Sequence, residues 1–139
     1  MEKSGNRFVY FFLGSWGSFA FFAILAYGFG LYRVAPFLGL IGYTTMIFLL
    51  LAALYQSYKN VHYILVSGSL MLFGAIASFD LISSKDELTN LWRSWLGGDL
   101  SEATADGIVQ SLTILLSIFC GSLASATLFY GLNKKNFPK

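Results

Sequence analysis

Charge is scarce in this chain: only 12% of its 139 residues are Asp, Glu, Lys or Arg, against about 25% in an ordinary soluble domain. With 56% hydrophobic residues and a mean hydropathy of +0.65, that composition excludes a soluble globular domain. A net charge of +2 leaves no basic stripe of the kind that holds nucleic acid. There is one cysteine, Cys120, so an intramolecular disulfide is excluded and cysteine usage says nothing of the redox compartment. One histidine, His62, far from that cysteine in sequence, falls short of any metal-ligand spacing. No phosphate-binding glycine loop appears, and nothing pairs a nucleophile with a base. The chain reads as a non-enzyme with no metal and no cofactor; a haem or pigment ligand at His62 is the sharper and less favoured alternative to an interfacial histidine.

What is present is apolar sequence in long runs. Runs at about 8–32, 36–58, 61–82 and 108–132 are each long enough for about 30 Å of hydrocarbon. Lys3 and Arg7 precede the first run, which exceeds a secretory signal core and reads as an uncleaved span. Arg33 to Pro36 and Lys59-Asn60 make turns too short for anything but antiparallel neighbours, with Pro36 suited to the first position of a helix. The expected fold is all-α: a polytopic, multi-pass integral membrane protein, one domain over residues 1–139, with four transmembrane helices in a bundle.

Between the third and fourth runs lies the one long segment that cannot sit in lipid. Six of the seven acidic residues fall at Asp80, Asp86, Glu87, Asp99, Glu102 and Asp106. Ser84 and Glu87 have capping-box spacing, and Leu88, Leu91, Trp92, Trp95 and Leu96 share a face. An amphipathic helix over 84–96 is therefore expected, closed by Gly97-Gly98. Trp92 and Trp95 would anchor it at the headgroup level, or pack it on the protein's own helix ends. Asp99 and Glu102 repeat the capping spacing before the last helix.

Orientation follows from the basic residues. With the N-terminus cytoplasmic, the inner side holds Lys3, Arg7, Lys59, Lys134, Lys135 and Lys139, and the outer side Arg33, Lys85 and Arg93. The bias favours both termini in the cytoplasm, in an inner or plasma membrane, with the 84–96 helix extracytoplasmic.

Small residues recur along the runs. Ser117, Gly121 and Ser125 form a stripe on the fourth, with Gly74 and Ser78 on the third and Gly14 and Ser18 on the first. Such stripes let helix backbones approach in lipid, within one bundle or between subunits. Asp80 is the only acid contiguous with a span, about one turn from its end; solvation there or pairing with Lys85 is the ordinary reading. The functional one joins Asp80 with Gln110 and Thr44 in an outward-facing polar pocket. Trp16, inside the first run, is expected to donate to a serine or a carbonyl.

Arg7-Phe8, Gly14 and the basic Lys134-Lys135-Asn136-Phe137 resemble the chain ends of GtrA-like membrane proteins. That resemblance implies movement of polyprenyl-linked sugars. It covers the two ends alone, lacks the Asn-Thr expected after the first glycine, and transfers no site residue.

Three functions are carried forward, the third being a cofactor- or lipid-binding subunit that uses His62 or the aromatic-rich first helix. The first is a small accessory or scaffold subunit whose partners are the bilayer and other membrane subunits or further copies of itself. The second is an oligomeric small transporter, flippase or channel using the outer polar cluster.

Overall fold

In the computed structural model, which describes residues 2–30, 37–96 and 101–137, every regular element is helical. Helix α1 spans Glu2–Ala23 and continues as a π-helical turn, Ile24–Gly28. It is followed by α2 (Phe37–Tyr55), α3 (Asn60–Ser83), α4 (Lys85–Leu96), α5 (Glu102–Leu132) and a short 3₁₀ turn, Lys134–Asn136. Three stretches, Asn6–Gly28, Asn60–Ser83 and Glu102–Leu132, are long and apolar enough to cross a membrane. A fourth, Ile41–Tyr55 within α2, is as apolar but shorter. Pro36, Gly97, Gly98 and Asp99 lie outside the described residues.

The helices pack as two close hairpins, α1 against α2 and α3 against α5. Each hairpin is closed by a glycine at which the backbones nearly touch. A Cβ placed on Gly42 would stand 2.8 Å from Phe22 Cβ; one on Gly74 would stand 2.9 Å from Cys120 Cβ, and one on Gly131 2.8 Å from Tyr63 Cβ. Ordinary carbon contacts are about 3.5–4.0 Å, so only glycine fits at these three crossings. Between the α3 and α5 backbones, Ser67 Oγ donates to Ala124 O at 2.8 Å, and Ser78 and Ser117 share a hydrogen bond of 3.1 Å.

Larger side chains join the two hairpins. Phe8 lies flat on His62 with ring centroids 3.8 Å apart, Trp16 Nε1 donates to Ser69 Oγ at 3.0 Å, and Phe19 meets Phe73 edge-on at 6.3 Å. These pairs run in the same order along both helices, so α1 and α3 are parallel and in register. The tryptophan thus donates to a serine, as expected of it, on a neighbouring helix. Phe73 also meets Tyr43 of α2 at 5.7 Å. Helix α3 is therefore the central rod, with Val66, Ser67, Leu70, Phe73, Gly74 and Ala77 buried on a broad face that touches both hairpins. Helix α5 is buried along Ala105, Val109, Cys120, Ala124, Thr127 and Gly131.

The polar segment folds as α4, the most amphipathic helix of the chain, with Asp86 and Glu87 in its first turn and Arg93 in its last, an order that complements the helix dipole. Ser84 does not sit in the extended conformation of an N-cap. Its φ of −100° and ψ of 13° make it a one-residue hinge at the end of α3. Its hydroxyl turns back to Asp80 at 3.4 Å, while Leu88 N donates to Ser84 O at 3.0 Å, so α4 follows α3 almost without a break. Ser101 caps α5, accepting from Thr104 N at 3.2 Å. Lys85 then ties the starts of α4 and α5 together through an ion pair with Asp106.

Candidate functional site

Asp80 stands in the last turn of α3, and the groups that reach it come from other helices. Tyr27 of the π-helical turn donates its hydroxyl to Oδ1, and Tyr43 of α2 donates to Oδ2. Each carboxylate oxygen thus receives one phenol, with Ser84 Oγ adding a longer contact to Oδ1 at 3.4 Å. The π turn matters here because its i→i+5 bond, Phe29 N to Ile24 O at 3.3 Å, widens the helix at the turn that carries Tyr27 and Ala26. Single π turns of this kind are common where a side chain must be re-aimed.

The three residues line a cavity of about 400 Å³ between α1, α2 and α3. Its other walls are mostly apolar, Phe19, Phe22, Ala23, Ala26, Ile76 and Phe79, with Ser83 adding one hydroxyl-bearing residue. Gly39 and Gly42 on α2 also line it, and the close Phe22–Gly42 crossing fixes one wall. The size falls within the range of about 300–1,000 Å³ typical of small-molecule sites. The arrangement is a single carboxylate held by two phenols at the wall of an aromatic cavity.

Asp80, Gln110 and Thr44 are not brought together. Gln110 is exposed on α5 and lines a separate cavity of about 380 Å³ with Lys85, Asp106 and Thr113. Thr44 is exposed on α2, one position away from Tyr43, which turns inward. Lys85 is not the partner of Asp80 either: its ion pair is with Asp106, whose carboxylate holds the Lys85 ammonium above its ordinary pKa, chiefly through their hydrogen bond.

The small-residue stripes separate by face. Gly74 lies against Cys120, and Ser78 and Ser117 meet at the edge of the α3–α5 contact. Gly121 and Ser125 face outward, and a Cβ on Gly121 or on Gly14 would meet nothing within 4 Å. Ser18 bonds within its own helix, to Ser15 O at 2.9 Å. Trp92 and Trp95 lie on α4, and their side chains are outside the described residues. His62 is covered by Phe8 on one face and by the edge of Tyr58, with centroids 4.9 Å apart. No group of three or more His, Cys, Asp or Glu side chains that could hold a metal occurs among the described residues.

No known protein family, curated protein or solved structure matches the chain, the GtrA-like family included.

Proposed function

We propose that this chain is a non-enzymatic, multi-pass membrane protein that takes a small, largely apolar molecule into the cavity at Asp80, as a carrier or as the ligand-binding subunit of a membrane assembly. One observation supports this above the others: Asp80, on an apolar helix, has no basic partner among the described residues, yet two tyrosines from two other helices converge on it at the wall of a cavity. An ionisable group is costly at membrane depth unless it does something there.

In this reading α1, α2, α3 and α5 all span the bilayer, with α2 the shortest crossing. Both termini are cytoplasmic, because Lys3, Arg7, Lys59, Lys134 and Lys135 gather at one end of the bundle in sequence order. The membrane is then an inner or plasma membrane, α4 lies on the extracytoplasmic side, and the cavity opens toward that side. The test is native mass spectrometry of the full chain released from its own membranes in lipid nanodiscs. Wild type should carry a small-molecule adduct that Ala23→Leu, which puts a larger side chain into the cavity lining, does not. Identical adducts in the two proteins would overturn the reading.

A second reading, a subunit packed laterally in a larger assembly, is favoured by the open face of α5, where Gly121 and Ser125 are exposed among the described residues and a Cβ on Gly121 would meet nothing within 4 Å. In that case Gly121→Leu should abolish the co-purification of partner chains or of further copies. An unchanged assembly would remove the reading.

A further inference from the structure

The acid at the cavity wall selects the charge of what enters. We infer that the ligand class is a protonated amine with an apolar body, a lipophilic ammonium, with Asp80 as its counter-ion; this rests on the reading of the cavity as a binding site. A carboxylate offers about four lone-pair sites, and Tyr27, Tyr43 and the longer Ser84 contact use three. Acceptor capacity remains for one more donor, and the cavity is the side from which it can come.

Among the described residues no basic side chain supplies that donor. Lys85, the nearest basic residue in sequence, is committed to Asp106, and no other basic residue pairs with Asp80 among the described residues. A charge at an apolar wall favours an occupant of opposite sign, because an uncompensated charge in low dielectric is costly. The phenols fix the carboxylate in place, so the ion pair forms without reorganising the site. Phe19, Phe22 and Phe79 provide aromatic walls for both an apolar body and the edge of an ammonium charge. An anion would face Asp80 directly, and a neutral isostere would gain the walls without the ion pair.

The test uses three compounds that share one apolar body and differ in charge: phenylbutylamine, phenylbutanol and phenylbutyrate. Each is titrated by calorimetry into the full chain in lipid nanodiscs, with empty discs subtracted. The amine should bind about tenfold to a hundredfold more tightly than the alcohol, as a charge-assisted hydrogen bond implies, and the acid most weakly. Asp80→Asn should bring the amine down to the level of the alcohol, and Ala23→Leu should remove both. Equal binding of amine and alcohol, or tightest binding of the acid, overturns the ammonium class and leaves the cavity reading standing if Ala23→Leu still abolishes it. Binding that survives Ala23→Leu, or no binding of any of the three, overturns both. If Asp80→Asn does not fold, the wild-type ranking and Ala23→Leu decide alone.

Discussion

Two glycines on the α3–α5 hairpin should respond to the same substitution with opposite sign. At Gly74 a new Cβ would stand 2.9 Å from Cys120 Cβ and 3.5 Å from its Sγ. Both Cβ atoms are fixed to their backbones, so relief requires the helices to part by about 0.5–1 Å, enough to forfeit a quarter to a half of each dispersion contact nearby. Overpacking of this kind costs about 1–3 kcal/mol, offset by about 1 kcal/mol for exchanging glycine for alanine in a helix. Gly74→Ala should thus lose up to about 2 kcal/mol. At Gly121 nothing lies within 4 Å of the new Cβ, so only the backbone term acts, and Gly121→Ala should gain about 0.5–1 kcal/mol. Equilibrium unfolding in mixed micelles, titrated with a denaturing detergent, measures both. The reverse order, with Gly121→Ala destabilised and Gly74→Ala unharmed, would mean that α5 presents the Ser117–Gly121–Ser125 stripe to α3, and would refute the packing described.

Other consequences are as specific. Ser69→Ala strands the Trp16 N–H between α1 and α3 and should cost about 0.6–1.7 kcal/mol, the span measured for hydrogen bonds between membrane helices; a double-mutant cycle with Trp16→Phe should recover that coupling, and additivity would deny the bond. Gly42→Ala should loosen the α1–α2 hairpin, since the new Cβ falls 2.8 Å from Phe22 Cβ, and should weaken ligand binding as the cavity wall moves; unchanged stability would deny the crossing. Because its partner raises the Lys85 pKa, the contribution of this pair is fully present below the ordinary lysine value and is lost as pH rises through the folded-state value. Thermal melts should therefore show a small difference between wild type and Lys85→Met at neutral pH that vanishes once the pH has risen through the folded-state value of Lys85; salt should shrink it too, the pair being solvent-accessible. A difference that grows with pH would deny the pair.

Much of the helix order was legible in the sequence because long apolar runs and short polar turns report it directly. The runs at 61–82 and 108–132 correspond to α3 and α5, and the 84–96 amphipathic stretch to α4. Which face of each apolar helix turns inward was not legible. Amphipathicity separates water from core, but when lipid replaces water both faces are apolar and the periodicity that marks a core disappears. That is why Thr44 was singled out rather than its neighbour Tyr43, and Gly121 as readily as Cys120. A heptad through Gly39, Tyr43, Met46, Leu50 and Ala53 was the available signal on α2, since Met46, Leu50 and Ala53 are fully buried. A π turn has no sequence signature that would aim Tyr27 at Asp80. Lys85 was one helical turn from Asp80 in sequence, yet the hinge at Ser84 carries it toward α5, where Asp106 takes it.

The cavity at Asp80 can be tested most directly by photolabelling the full chain in lipid with a diazirine-bearing alkylamine and mapping the adducts by peptide mass spectrometry. Label should concentrate on Phe22, Ala23, Ile76 and Phe79, which line the cavity, and should fall when phenylbutylamine is added in excess. Label spread evenly over Phe48, Ile118 and Phe129, which face away from the core, and indifferent to that competitor, would contradict a binding site at Asp80.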